Sequence, residues 1–260
     1  QLPQELAVHG IEPGEGLVAT GSNHGNEYEG PVVLKHLIRE IKLEDVLGRI
    51  ILIPVLNPAA FLAGTRESTL DDGVNLNRAF VSGAGTTPAL AGITHRIAAF
   101  VREYIWPRVH VVLDLHSGGD LTITAFYVIY AKFDSEASRE SARLAASVGS
   151  RYQWGSDEDW LQGACFTNFT KLSGKPSIIV ESGGGGRVTD ADLANFQIAL
   201  HGLSRALLEE TGARDVRVFG TYGFTECRMA FAECPTRDNE YTGYHLYPDM
   251  AVFEVVDPQT

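Results

Sequence analysis

The sequence predicts an α/β fold, three αβα layers around a mainly parallel (mixed) central sheet, with a short β appendage at the C-terminus. Three observations carry this. Short apolar runs rich in β-branched residues occur at 16–21, 49–55, 109–115, 123–130 and 177–180. Between them lie stretches whose apolar residues recur at helical spacing, and the alternation runs from about residue 16 to 212. Beyond that point the character changes: short β-like runs at 216–219 and 251–256 replace the helical pattern. Two units are therefore expected, an α/β domain over 1–212 and, over 213–260, a small β appendage or the truncated start of a β domain.

The elements follow in order. Residues 16–21 (Gly-Leu-Val-Ala-Thr-Gly) read as a buried strand that runs into a helix near 30–41, where Val33, Leu34, Leu37, Ile38 and Ile41 share a face. Residues 49–55 form a second strand. A long loop is expected from Leu56 to about Ala89, rich in Gly, Asn, Asp, Thr and Pro, and loops of that length in compact domains are usually functional or disordered. A helix over 93–105 is stopped by Pro107. Strands follow at 109–115 and 123–130, then helices at 135–148 and 159–172. A strand over 177–180 ends at Glu181, and a long amphipathic helix over 190–210 closes at Thr211-Gly212.

Composition narrows the function classes. The chain has 260 residues, 44% hydrophobic and 21% charged, which are ordinary globular values. No apolar run approaches the ~18 residues of a membrane helix, so no membrane partner is expected. Lys+Arg total 21 against 33 Asp+Glu, a formal charge of -12, and that balance argues against nucleic acid. An acidic chain that handles an anionic substrate must concentrate its few arginines at the site. The N-terminus, Gln1-Leu2-Pro3-Gln4-Glu5, lacks the basic and apolar regions of a secretory leader and has no initiator Met, so a trimmed or partial start is expected. Cys165, Cys227 and Cys234 are odd in number and widely spaced, which points to reduced thiols and a cytoplasmic setting. The sequence is silent on oligomeric state, and a homo-oligomer is compatible with it.

Four local signals carry chemistry. The first is His24-Gly25-Asn26-Glu27, between a strand and a helix. Two ligands separated by two residues on a tight turn can reach one ion, and Gly25 removes a side chain where the metal would crowd. Alone, His-x-x-Glu occurs by chance in many proteins. The second is His116, which follows a buried strand and precedes Ser117-Gly118-Gly119. Ligands of open α/β sheets bind beyond the carboxyl ends of strands, and both histidines are expected there. Two histidines and one carboxylate leave a fourth zinc position for water. The third is Glu181, at another strand end and followed by Gly183-Gly184-Gly185-Gly186. It fits a general base for metal-activated water. The fourth lies in the long loop: Arg66, then Asn77-Arg78. An Asn-Arg pair can grip a carboxylate, and a separate arginine can stabilise a developing oxyanion. Further on, Trp160 with Asp157, Glu158 and Asp159 could meet a cationic amine. An exposed helix N-terminus explains those acids equally well.

Taken together, Asn23-His24-Gly25-Asn26-Glu27-Tyr28-Glu29-Gly30, Asp72-Gly73-Val74-Asn75-Leu76-Asn77-Arg78, Asp114-Leu115-His116-Ser117-Gly118-Gly119 and Trp160-Leu161-Gln162-Gly163 resemble the zinc carboxypeptidase clan. Within it they are nearest the succinylglutamate desuccinylase/aspartoacylase family. The last two of these segments, with Glu181-Ser182-Gly183-Gly184-Gly185-Gly186-Arg187, look most like its N-acetyl-diaminobutyrate deacetylase subgroup. The resemblance spans about 16–212.

It implies a zinc carboxypeptidase-like fold and a zinc-dependent amide hydrolase that removes an acetyl- or succinyl-type group from the nitrogen of an amino acid. One Zn2+ per chain would be bound by His24, Glu27 and His116. Arg66 would support the oxyanion, Asn77 and Arg78 would hold the substrate carboxylate, and Glu181 would be the base. Members usually carry a larger C-terminal β domain, and only a stretch like its beginning is visible, around Tyr247–Glu254. The alternatives are a metallocarboxypeptidase acting on peptide C-termini and, from another class, a non-catalytic metal- or small-acid-binding module.

Overall fold

The apolar runs become strands because their residues are enclosed on both faces, as in parallel sheets. In the computed structural model the described residues are 4–9, 16–41, 49–68, 71–80, 92–157, 168–211, 221–224, 229–235, 241–246 and 252–253. Strand β2 (Gly16–Gly21) and strand β4 (Val111–His116) are buried along their whole length. With β3 (Arg49–Val55) and β7 (Ser177–Gly184) they form a parallel centre in the order β3-β2-β4-β7. The edges are mixed. On one side β5 (Ile123–Ala131) runs antiparallel to β7, and β6 (Tyr152–Ser156) runs parallel to β5. On the other, β1 (Gln4–His9) runs antiparallel to β3. The mainly parallel, mixed sheet expected from sequence is therefore present.

Helices cover both faces. On one, α1 (Glu29–Glu40), α4 (Glu136–Ser147) and α6 (Asp190–Thr211) pack Val33, Leu34, Leu144, Phe196 and Leu203 onto Leu17, Leu113, Leu115 and Val180. On the other, α3 (Ile93–Phe100) and α5 (Asn168–Ser173) bring Ile97, Ala98 and Phe169 against Val18, Ile51, Ile53 and Val112. Ser135 caps α4, its side chain accepting from the Ser138 N–H at 3.1 Å.

Several boundaries differ from expectation. The loop after β3 contains a short helix, α2 (Pro58–Ala63), capped by Asn57 and opened by a proline, and a 3-10 turn over Leu76–Arg78. The loop is pinned at Asp72, which accepts from the Thr94 N–H (2.9 Å) and hydroxyl (2.7 Å). After α3 the chain continues in a π turn (Val101–Ile105) and a 3-10 turn (Trp106–Arg108) that accommodates Pro107. Strand β7 does not end at Glu181. It runs on to Gly184, because Gly183 and Gly184 pair with Thr124 and Ile123 of β5. Strands β1 and β6 were not expected, and the helix expected over 159–172 is described only from Asn168.

In the C-terminal stretch β8 (Thr221–Phe224), β9 (Met229–Pro235) and β10 (Tyr241–Leu246) form a three-stranded antiparallel sheet. The two-residue β11 (Val252–Phe253) pairs with β1. The run expected at 216–219 and the group Glu158, Asp159 and Trp160 lie outside the described residues. Asp157 is exposed.

Candidate metal centre

Three strand ends meet at one point. The chain leaves β2 through Ser22, the one non-glycine residue with positive φ (51°) among those described, and turns back at once. This places His24 and Glu27 above the carboxyl end of the sheet. The turn is clamped to its neighbours: the Leu56 and Asn57 N–H groups donate to the Gly21 and Ser22 carbonyls (2.9 and 3.0 Å), and the Gly25 N–H donates to the Arg66 carbonyl (3.3 Å). Gly25 is needed, but for a different reason than metal crowding. A Cβ there would lie 2.1 Å from the Ala60 carbonyl carbon and 2.3 Å from the Phe61 nitrogen, so the backbone of α2 occupies the space.

His24 Nδ1 lies 2.7 Å from Glu27 Oε1, and His116 Nδ1 lies 2.9 Å from Glu27 Oε2. The imidazole rings meet edge to face with centroids 4.9 Å apart. All three side chains are buried, and one potential ligand atom from each lies within 4.8 Å of the others. His24 Nε2 is buried with no hydrogen-bond partner among the described residues. Two imidazole nitrogens and a carboxylate oxygen converging in a buried pocket are a donor set suited to a divalent ion. The residues fit a metal.

A second carboxylate stands behind this group. Asp114 lies two residues before His116 on β4, hence on the same face of the strand. Its Oδ2 is 2.7 Å from His116 Nε2, while its Oδ1 accepts from the Thr20 hydroxyl at 2.5 Å. This leaves His116 Nδ1 as the nitrogen turned to the centre and fixes the ring. Sequence reasoning missed Asp114. The Asp-x-His spacing on a buried strand was the available signal.

The electrostatics follow from this crowding. Burial pulls the His116 imidazole down, but the Asp114 and Glu27 carboxylates outweigh it and hold its pKa well above the usual histidine value. Burial pushes Glu27 up, yet His24 and His116 hold it well below the usual carboxylate range. For His24 burial prevails over the attraction of Glu27, and its pKa is lowered.

Glu181 reaches the same place from β7. In the parallel ladder it is the register partner of His116, and across the antiparallel ladder it faces Tyr127. The three residues therefore form one rung on one face of the sheet. Burial is the largest influence on Glu181. Together with the charges of Glu27 and Asp114 it outweighs His116 and Arg66, and the carboxyl is pushed up to about 8. Tyr127, in turn, is pushed up to about 12 by burial and by the Glu181 and Glu27 carboxylates. Sequence reasoning also missed Tyr127, because only strand register shows it. Past Glu181 the chain turns on Gly183–Gly186, all at positive φ, beside the 118–122 turn. There Glu29, buried at the start of α1, accepts from the Gly184 N–H at 2.7 Å.

The loop residues divide. The Arg66 guanidinium lies 3.0 Å from Glu27 Oε1, with the arginine side chain half exposed (49%) and so able to swing toward a ligand. Asn77 is buried, and its Oδ1 accepts from Asn23 Nδ2 at 3.3 Å, which joins it to the Asp114 side of the centre. Arg78 is exposed and donates to the Asn77 carbonyl at 2.8 Å.

Known proteins resemble the chain over most of its length. The family model of the succinylglutamate desuccinylase/aspartoacylase catalytic domain matches residues 13–207. The chain is 37% identical over 192 residues to the N-alpha-acetyl-L-2,4-diaminobutyric acid deacetylase of Halomonas elongata, covering 73% of this chain and 54% of that protein. It thus spans about half the length of the curated relative it matches. Among solved structures, the product-bound ectoine utilization protein EutE (DoeB) of Ruegeria pomeroyi superposes with a TM-score of 0.65 at 29% identity, covering 85% of this chain and 66% of that one. A succinylglutamate desuccinylase of Silicibacter sp. TM1040 gives a TM-score of 0.67 at 25% identity, with coverages of 93% and 79%. The architecture is the zinc carboxypeptidase-like one. The chain belongs to the succinylglutamate desuccinylase/aspartoacylase family.

Proposed function

We propose that this chain is a zinc-dependent amide hydrolase that removes an acyl group, of acetyl or succinyl type, from the nitrogen of an amino acid. One observation carries the reading: Glu181 stands on the rung beside His116, so a candidate general base borders a buried His–Glu–His centre. His24, Glu27 and His116 would hold the ion. When bound, zinc supplies a Lewis acid that lowers the pKa of a coordinated water toward ~7.

The chain's own residues do the rest. In its carboxylate form, which the charge of a bound ion would favour, Glu181 accepts the proton of the attacking water as the new C–O bond forms at the amide carbonyl. It returns that proton to the amide nitrogen as the C–N bond breaks, so the products are a carboxylic acid and an amine. Arg66 turns from Glu27 toward the carbonyl oxygen and balances the charge that develops there. Asn77 and Arg78 hold the substrate carboxylate and so its orientation. Tyr127 borders the base and limits its access to water.

The substrate to test first is an α-N-acetylated diamino acid, given the similarity to the Halomonas elongata deacetylase. We place the protein in the cytoplasm, on the ground of its three widely spaced cysteines. The deciding experiment measures zinc content and hydrolysis over a panel of N-acetyl and N-succinyl amino acids and short peptides, with added zinc and with chelator. Zinc-dependent release of free amino acid supports the reading. Preference for peptides assigns a carboxypeptidase instead, and a zinc-loaded protein inert on every compound leaves a binding module.

A further inference from the structure

We infer that Asn23 is a positioning residue that dictates which end of the Asn77 amide faces the substrate; the inference rests on the function proposed above. Asn23 is fully buried between two polar groups: its Nδ2 lies 2.9 Å from Asp114 Oδ2 and 3.3 Å from Asn77 Oδ1. The chain of orientation starts at Asp114. Its oxygens already face His116 Nε2 at 2.7 Å and the Thr20 hydroxyl at 2.5 Å, so the carboxylate acts as acceptor. The Asn23 atom turned to Asp114 must then be the NH2 group, since an amide oxygen there would set acceptor against acceptor. The second N–H of that same group points to Asn77, which must answer with its oxygen. Rotating the Asn77 amide would bring two NH2 groups together. The NH2 end of Asn77 is therefore directed away from Asn23, with the polarity a carboxylate requires.

The arrangement carries a cost. Asn23 Oδ1 is buried with no hydrogen-bond partner among the described residues. Leaving such an acceptor unpaired in the interior is unfavourable, because the water it gave up is not replaced. A residue kept only for packing would be better apolar. Asn23 also joins two assignments that otherwise look separate, the carboxylate that orients a metal ligand and the amide that receives the substrate.

The test uses the N-acetyl amino acid that the wild type hydrolyses fastest, paired with the same N-acetyl amine lacking the carboxylate. Kinetics are measured for Asn23→Ala, Asn77→Ala and the double variant. Asn23→Ser, whose shorter side chain cannot span both partners, serves as a second probe should Asn23→Ala not fold. The expected result is a KM raised about tenfold for the carboxylate substrate, with kcat within about twofold. The carboxylate-free amide loses several-fold less, because Asp114 keeps Thr20 and His116 as partners, and Asn23→Ala adds nothing further in the Asn77→Ala background. Calorimetry of the same amino acid with the metal-free protein shows the same loss of affinity. Equal losses on both substrates, or additivity with Asn77→Ala, overturn the inference. A wild type that hydrolyses no N-acyl amino acid removes the functional reading and the inference together, whereas an active wild type with unchanged Asn23 variants removes the inference alone.

Discussion

Glu27 and His116 face each other across 2.9 Å, Oε2 to Nδ1, with both side chains almost wholly buried. In the metal-free protein a proton holds this pair together, since His116 sits well above and Glu27 well below their ordinary values. A metal bound at Nδ1 would take the place of that proton. Binding of zinc at pH 7 is expected to release at least one proton per site. Calorimetric titration in buffers of different ionisation enthalpy measures it, and a release near zero would contradict the arrangement.

Glu181 gives a pH dependence to the metal-free protein. Its folded value of about 8 lies above the ordinary 4.5, so the native state holds this proton more tightly than the unfolded chain. The stability it contributes is present in full below about 4.5 and is lost as pH rises toward and through about 8. The melting temperature of the chelated protein is therefore expected to fall between pH 5 and pH 9. Glu181→Gln, which cannot ionise, should flatten that slope. In the zinc-loaded protein the same substitution is expected to keep the metal and lower kcat by about 10²–10⁴-fold.

Asp114→Asn keeps the shape of the side chain and removes the charge behind His116 Nε2. Loss of such a support typically weakens metal affinity about 10–100-fold. Competition with a chromophoric chelator reads this directly, and unchanged affinity would mean that Asp114 is only a buried polar group of the core.

Gly25→Ala tests packing rather than chemistry. The added methyl would meet the backbone of Ala60 and Phe61 at 2.1–2.4 Å, and backbone cannot step aside as a flexible side chain can. A destabilisation of about 1–3 kcal/mol or more is expected in urea unfolding, with loss of zinc binding as the turn is displaced.

Much of this centre was legible because its parts are local. Apolar runs mark buried strands; His116 closes one of them, and His24 lies three residues beyond the end of another. What was not legible depends on strand pairing. Tyr127 joins Glu181 only through a ladder between segments some fifty residues apart, and no local periodicity encodes it. Ser182-Gly183-Gly184 looks like a strand terminator, yet β5 supplies the partners that extend β7 to Gly184. Helix α2, six residues long, is too short to show a helical period, although Asn57-Pro58 marks its start. Strand β6 was missed because Tyr152, Gln153 and Trp154 are exposed and lack an apolar alternation.

Under the proposed function, the rung shared by His116 and Glu181 bears on how the site can diversify. Adjacent strands lie ~4.8 Å apart, a spacing set by peptide hydrogen bonding and indifferent to side-chain identity. The distance from the proposed metal ligand to the proposed proton acceptor would thus be inherited from the backbone itself. Loops such as the one holding Arg66, Asn77 and Arg78 lie outside that ladder. They can be rewritten for a new acyl group or amino acid while the reacting geometry stays calibrated, which separates the evolution of substrate choice from that of rate.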